Sequence, residues 1–202
     1  MPRANPDKGG RWGIMGGIFD PIHYGHLALA ENAARAFDMD GVLFLVSFNP
    51  PHREKKPQAS FEERLEMVSL AIADNERFLA SDLEKDLSLP AYTVNIVDLL
   101  KSKYPRITDW YLVLGADNID LFDSWHQPER LIEEVNIVVG KRPGFGPDGK
   151  DSLWYKQVKI FDMPLLELSS TMIRERIKSG KSIRYFVPEV VYHYIENKRL
   201  YQ

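Results

Sequence analysis

The sequence feature that most limits the fold is an apolar run from position 42 to position 48, interrupted only by Ser47. The run is much shorter than the roughly 18 apolar residues that a membrane-spanning helix needs. It is typical of a strand buried on both faces of a parallel sheet. Helices must then cover both faces of that sheet, which places the chain in the α/β class.

Strand and helix patterns alternate along the rest of the chain. Strands are predicted at residues 12–15, 42–48, 77–81, 110–114, 136–139 and 156–161. Between them, helices are indicated by apolar spacing over 27–37, a capping box at Ser60 and Glu63, an N-cap at Thr93, a first-turn proline at Pro128, the hydroxyl run 169–171 and Pro188. We predict one domain with a doubly wound, Rossmann-like parallel sheet, helices on both faces and a ligand site at the carboxyl ends of its strands.

Length, composition and charge limit the classes of protein to which the chain can belong. The 202 residues suit a single domain, with residues 1–10 expected as a mobile N-terminal tail and residues 11–202 as the domain. A net charge of −3 argues against nucleic-acid binding, and the absence of cysteine excludes disulfides and thiolate sites. The polar residues 1–11 and the lack of a long apolar segment predict no export and no membrane partner, so a cytoplasmic location is expected. Homo-oligomerisation is left open.

The first candidate phosphate site is the segment 16–26, G-G-I-F-D-P-I-H-Y-G-H. Gly16 and Gly17 end the first predicted strand, where backbone N–H groups can face an anion, and the following helix adds its positive N-terminal dipole. His23 and His26 are three residues apart at that helix start, so both imidazoles can face one ligand. A structural role for both histidines, or a histidine metal site, explains the pattern less well, and a polyphosphate is the expected ligand.

The second candidate site is the segment 168–174, L-S-S-T-M-I-R. Hydroxyl side chains at a helix start cap it without any need for a function. Arg174, one turn further, can place a guanidinium over phosphates at the same end. Two segments of this kind in one chain favour a nucleotide site.

Two familiar phosphate loops do not fit. The dinucleotide pattern G-x-G-x-x-G fails because the next glycine after Gly17 is Gly25. Residues 144–150, G-F-G-P-D-G-K, approach a Walker loop, but Asp151 stands where Ser or Thr should bind magnesium. We interpret the stretch 141–150 as a surface loop.

Together, G-G-x-F-D-P-x-H-x-G-H and S-S-T-x-I-R resemble the nucleotidyltransferase superfamily with its H-x-G-H motif, and within it the bacterial nicotinate-nucleotide adenylyltransferases. Further matching segments extend the resemblance from about residue 12 to residue 201: 50–53, 67–71 with Arg64, 90–93, 114–117, Trp125, 141–145 and 187–201. There are two departures. Ile18 stands where the family usually has Thr, and His126 where it often has Tyr.

The resemblance implies transfer of AMP from ATP to nicotinate mononucleotide, with Mg²⁺ held mainly by substrate phosphates and no protein metal ligand named. It implies catalytic roles for His23, His26 and Arg174. The ATP contacts implied are Gly16, Gly17, Ile18, Phe19, His23, His26, Ser170, Thr171 and Arg174, and the acceptor contacts are Thr93, Asp117, Trp125, His126, Arg142, His52 and Arg53. The alternatives are adenylyl or cytidylyl transfer to another phosphorylated acceptor, such as phosphopantetheine, and a non-catalytic nucleotide-binding module.

Overall fold

A six-stranded, fully parallel sheet forms the centre of the molecule, with strand order β3-β2-β1-β4-β5-β6. The computed structural model describes residues 3–48, 56–87, 91–119, 121–141 and 153–202. The strands are β1 (Gly10–Gly17), β2 (Gly41–Val46), β3 (Phe78–Ser81), β4 (Ile107–Gly115), β5 (Asn136–Gly140) and β6 (Lys159–Phe161). The helices are α1 (Tyr24–Ala36), α2 (Phe61–Ala71), α3 (Thr93–Lys103), α4 (Ala116–Ile119), α5 (Pro128–Glu134), α6 (Ser170–Lys178) and α7 (Glu189–Lys198).

The two faces of the sheet are covered by different helices, as predicted. Alternation of side chains along β2 sends Phe44 into one core and its neighbours Leu43 and Leu45 into the other. Helices α1, α2, α6 and α7 contribute buried side chains to the first core, while α3, α4 and α5 contribute to the second. Every residue of β2 is buried, which explains why this strand has so continuous an apolar sequence.

The strand order changes direction at β1. The chain first proceeds outward from β1 through β2 to β3, then returns to the other side of β1 with β4. A crevice therefore opens between the carboxyl ends of β1 and β4, where the connections leave toward opposite faces. The predicted position of the site at the strand ends is thus the topological switch point.

Several helix boundaries follow from the local sequence. Ser60 and Glu63 form the predicted capping box, and Pro128 is the first residue of α5. The prediction that Thr93 caps a helix is wrong by one position, because the Tyr92 carbonyl accepts from the N–H groups of both Asn95 and Ile96. The last strand is also shorter than predicted, because residues 153–156 form a 3₁₀ helix before β6.

Residues 4–9 contact the folded chain. The Ala4 N–H donates to the Glu76 carbonyl at 2.7 Å, and the Trp12 indole N–H donates to the Gly9 carbonyl at 3.0 Å. A 3₁₀ helix, Pro6–Lys8, precedes β1. The mobility of the segment 1–10 stays a prediction, and its boundary falls inside β1, which begins at Gly10.

None of the helices in these described ranges is long and apolar enough to cross a membrane. The loop predicted at 141–150, including the Walker-like residues 144–150, lies outside the described residues apart from Lys141.

Candidate active site

A cavity of about 790 Å³ lies at the switch point, between the carboxyl ends of β1 and β4 and the first turns of α1 and α6. It brings together residues of the segments 16–26 and 168–174, which are far apart in sequence, as their shared phosphate-binding pattern predicts. The predicted residues that line it are Gly16, Gly17, Ile18, Phe19, His23, His26, Thr93, Asp117, Trp125, His126, Ser170, Thr171 and Arg174. The predicted residues His52, Arg53 and Arg142 lie outside the described residues.

Gly16 and Gly17 end β1, but only Gly16 leaves open space beside the backbone. A Cβ atom at Gly16 would meet no atom within 4 Å, so this backbone faces open space. A Cβ atom at Gly17 would instead lie 2.9 Å from the Phe19 ring, and one at Gly25 would lie 3.0 Å from the His23 imidazole. The absence of side chains at Gly17 and Gly25 therefore lets the aromatic rings of this turn pack closely.

The two histidines form a stacked pair at the start of α1. His23 is the N-cap residue, and its N–H donates to Nδ1 of His26 over 3.3 Å. The imidazole rings are 3.7 Å apart and inclined by 20°. Because Nδ1 of His26 accepts a hydrogen bond, the ring proton of the neutral imidazole must be on Nε2. The pair thus lines the cavity at a helix N-terminus with His26 in a fixed tautomer.

Arg174 of α6 reaches across to the segment between β1 and α1. Its Nη1 donates to the Asp20 carbonyl over 2.7 Å, and its Nη2 donates to the Thr171 hydroxyl over 3.2 Å. The side chain is only 17% exposed, and its Nε has no hydrogen-bond partner among the described residues. The guanidinium is therefore held by the protein through one N–H of each terminal nitrogen, and each terminal nitrogen keeps a second N–H.

The two serines before Arg174 have different hydrogen-bond roles. Ser169 is the N-cap and accepts from the N–H of Met172, whereas the Ser170 hydroxyl donates to the Pro21 carbonyl over 2.8 Å. Since Ser170 uses its hydroxyl proton on the protein, the contact it offers a nucleotide is mainly its backbone. The bond to Pro21 joins the first turn of α6 to the histidine segment.

Sequence reasoning gave no role to two buried charged residues beside the cavity. Asp20 is 5% exposed and accepts from the N–H groups of Gln58 and Ala59 and from the Tyr201 hydroxyl. Arg64, 2% exposed, donates to the carbonyls of Ile18 and Ser47. Burial lowers the pKa of Arg64, against the opposing charge of Asp20. Asp20 falls inside the quoted G-G-x-F-D-P pattern, which was the available signal.

Glu84 is a third buried charged residue, and it lines the cavity near the carboxyl end of β2. Its carboxylate accepts from the Phe48 N–H over 3.0 Å and from the Ser47 hydroxyl over 3.2 Å. Burial raises the pKa of Glu84, and these two hydrogen bonds only partly oppose that effect. The carboxylate therefore fastens the end of β2 at a cost in desolvation.

Replacement of Glu84 by Gln should change how stability depends on pH. The folded chain binds the Glu84 proton more tightly than the unfolded chain does, so the parent should lose stability as pH rises above 4.5, the ordinary pKa of Glu. Glu84→Gln has no such proton, and its free energy of unfolding relative to the parent should increase with pH until the folded-state pKa is passed. Urea unfolding between about pH 3 and 8 measures this difference.

Glu62→Gln is the matched control for that experiment. A backbone hydrogen bond, with help from Lys85, lowers the pKa of Glu62 on the exposed side of α2. The parent's stability contribution from Glu62 is therefore lost as pH falls, which gives a slope of the opposite sign. Parallel pH profiles for the parent and Glu84→Gln would show that burial of Glu84 does not perturb its titration.

The other half of the cavity is aromatic. Tyr92 and His126 stack with ring centroids 4.2 Å apart and planes inclined by 23°. Trp125 lies 5.2 Å from the Phe122 ring and is half-buried. Asp117 is the second residue of the short helix α4. This half can hold a planar ring, while the α1 and α6 half can hold phosphates.

Among the described residues, no group of three or more His, Asp or Glu side chains lies close enough together to hold an ion. The cationic and N–H donors around the cavity suit an anion instead. A parallel sheet whose carboxyl edge carries such an anion site is typical of nucleotide-binding α/β proteins.

Comparison with known proteins specifies that class. The family model described as cytidylyltransferase-like matches residues 14–176. A probable nicotinate-nucleotide adenylyltransferase of Synechococcus is 41% identical over 95% of this chain and 96% of its own length. The protein of the same name from Rubrobacter xylanophilus is 43% identical over 95% of this chain and 92% of its own length. The chain therefore belongs to the cytidylyltransferase-like family and, within it, to the nicotinate-nucleotide adenylyltransferases.

Solved structures confirm the fold. Nicotinic acid mononucleotide adenylyltransferase of Plasmodium falciparum, complexed with NaAD, superposes with a TM-score of 0.76 at 22% identity and covers 95% of this chain and 97% of its own. A putative nicotinate-nucleotide adenylyltransferase from Vibrio parahaemolyticus gives 0.69 at 23% identity, with 95% of each chain covered. The predicted doubly wound sheet with helices on both faces is confirmed by these matches and by the strand order.

Proposed function

We propose that this chain transfers the adenylyl group of ATP to nicotinate mononucleotide, giving nicotinate adenine dinucleotide and pyrophosphate. The observation that carries the proposal is the cavity itself, where the N-termini of α1 and α6 meet beside an aromatic half. The names of the relatives at about 40% identity support the same reaction. The cytoplasm is the proposed location, and no nucleic-acid or membrane partner is proposed.

The reaction needs positioning more than it needs a base. A phosphate oxygen of nicotinate mononucleotide attacks the α-phosphorus of ATP, the new P–O bond forms, and the bond from the α-phosphorus to the bridging oxygen breaks as pyrophosphate leaves with its electrons. The attacking oxygen is already ionised, so no strong general base is required. Correct alignment and stabilisation of the charge on the leaving group can supply most of the rate.

The phosphate half of the cavity would stabilise that charge. His26 would donate from Nε2 to the phosphates, with His23 beside it at the N-terminus of α1. Arg174 would hold the β- and γ-phosphates through the second N–H of each terminal nitrogen. The backbone of residues 16–19 and of Ser170 and Thr171 would line the nucleotide. With no described cluster of metal ligands, Mg²⁺ would be held by substrate phosphates and water, and no step here depends on it.

The aromatic half would bind the acceptor. Trp125 would stack on the pyridine ring, and Asp117 and Thr93 would contact the acceptor nucleotide from α4 and α3. His126, stacked on Tyr92, would lie near the ring's substituent. His52, Arg53 and Arg142 remain proposed contacts of the acceptor or its phosphate.

Acceptor choice tests the proposal. The parent should use nicotinate mononucleotide at least tenfold better than nicotinamide mononucleotide, judged by kcat/KM, because a badly paired polar group costs about 1–3 kcal/mol. Trp125→Ala should lower kcat/KM for both acceptors and change the ratio of the two values little, because stacking on the pyridine ring does not involve the carboxylate. Trp125→Phe, which keeps an aromatic face, should retain most of the activity.

Pyrophosphate release from ATP measures all of these rates. Assays without acceptor and with phosphopantetheine provide the controls. Equal use of the acid and the amide would contradict the nicotinate assignment but not adenylyl transfer. Release only with phosphopantetheine would favour the alternative acceptor, and no release with any acceptor would favour a nucleotide-binding module.

A further inference from the structure

Asp20 joins three separate segments beside the cavity. Its Oδ2 accepts from the Gln58 N–H over 2.8 Å, and its Oδ1 accepts from the Ala59 N–H over 3.1 Å. Its backbone carbonyl accepts from Nη1 of Arg174 over 2.7 Å, and the same nitrogen lies 3.9 Å from Oδ2. The position of the Arg174 guanidinium therefore depends directly on the position of Asp20.

The fourth contact of Asp20 comes from the segment after α7. Helix α7 ends at Lys198, and the left-handed backbone of the C-cap residue Arg199 (φ 51°) turns the chain back. The Leu200 N–H then donates to the Ile195 carbonyl over 3.1 Å. Tyr201 also has a positive φ of 65°, and its side chain is buried. Non-glycine residues keep this conformation only where their surroundings hold them. The Tyr201 hydroxyl is held by Oδ1 of Asp20, 2.8 Å away.

The direction of this hydrogen bond is fixed by charge. Burial raises the pKa of Tyr201 well above its ordinary value, and the nearby Asp20 carboxylate raises it further. The phenol is therefore protonated at any assay pH and must donate to Asp20, which accepts. A phenylalanine at this position would keep the ring packing and lose only this donor.

We propose that Tyr201 is a positioning residue for adenylyl transfer: its hydroxyl fixes the Asp20 carboxylate, and Asp20 in turn holds the Arg174 guanidinium at the phosphate half of the cavity. The inference rests on the proposed function of that cavity. Without the hydroxyl, Asp20 keeps its two backbone donors but loses the one bond that constrains it from the side of α7. Arg174 then loses part of the constraint on the residue whose carbonyl accepts from its Nη1 and whose Oδ2 lies 3.9 Å from the same nitrogen.

The kinetic signature follows from where Arg174 lies. A misplaced guanidinium affects the ATP phosphates but leaves the aromatic acceptor half unchanged, so kcat should fall more than the KM for nicotinate mononucleotide rises. Displacement of a catalytic group by about 1 Å can cost up to 10²-fold. For Tyr201→Phe we expect kcat to fall about tenfold, with the KM for the acceptor within about twofold of the parent.

Tyr194→Phe is the matched control. Tyr194 lies on α7, its side chain is partly buried, and the substitution likewise removes only a phenol hydroxyl. Rates are measured by pyrophosphate release well below the Tm of each variant. The control should retain the parent's kcat. Unchanged kcat in Tyr201→Phe, an equal loss in the control, or a Tyr201→Phe chain that does not fold would each overturn the positioning role.

A double-mutant cycle with Arg174→Lys tests the route. If Tyr201 acts through Arg174, the loss from Tyr201→Phe should largely vanish in the Arg174→Lys background, because there is no guanidinium left to position. Full additivity of the two losses would overturn the inference. A parent that releases no pyrophosphate contradicts the proposed function, whereas an active parent with additive losses contradicts only the role of Tyr201.

Discussion

His26→Ala is expected to lower kcat for pyrophosphate release by about 10²-fold or more, the usual effect of losing one preorganised donor at a site of developing charge. The structure gives the imidazole one tautomer, with Nδ1 accepting from the His23 N–H and the proton on Nε2. Alanine removes that donor while the helix retains its remaining contacts. The Tm should change much less than the rate, and both are measured on the same preparation.

His193→Ala is the control for this variant. His193 lies on α7, is 56% exposed and pairs with Glu189 on the surface. It should retain the parent's kcat. A folded His26→Ala chain with near-normal turnover would remove His26 from the catalytic role.

Arg174→Lys should lower kcat/KM for ATP by about tenfold to a hundredfold, because a hydrogen bond to a charged group contributes about 1.5–3 kcal/mol. The guanidinium bonds to Asp20 and Thr171 with its two terminal nitrogens, and each of these nitrogens carries a second N–H. An ammonium group has one nitrogen and cannot span these positions. The charge alone should therefore not restore the function.

Arg176→Lys provides the comparison on the same helix. Its Nε donates to the Ser182 carbonyl and its guanidinium stacks over Phe186, outside the cavity. Steady-state rates at varied ATP should be those of the parent. If Arg174→Lys binds and uses ATP as well as Arg176→Lys does, the forked contact with phosphate is wrong.

Local patterns predicted the part of this molecule that depends on neighbours in sequence. The buried run at β2, the capping box at Ser60 and the clustered glycines and histidines before α1 are all short-range signals. They place the carboxyl edge of the sheet and the helix N-termini that face it. The glycines and histidines before α1 line one cavity with Leu45 and Ser47 at the end of β2, because parallel strands end at the same edge.

The contacts that sequence reasoning missed are long-range and polar. Asp20 and Tyr201 are separated by 181 positions, and Ser47 and Glu84 by 37, so no periodicity links them. A buried carboxylate needs donors from wherever the fold brings them, and these are known only once the fold is known. The hydroxyl run 169–171 shows the same limit, since only the packing against Pro21 decides which serine caps the helix.

The switch point also sets a condition on how the chain can fold. Strand β1 pairs with β4 through residues as distant as Trp12 and Trp110, and this contact lies at the centre of the sheet. The first three strands can associate early, but one edge of β1 stays unpaired until β4 arrives. Closing so large a loop slows folding, and an exposed apolar edge is a template for pairing with other chains. We therefore expect the nascent chain to be most prone to aggregation after β3 has emerged during synthesis and before β4 emerges.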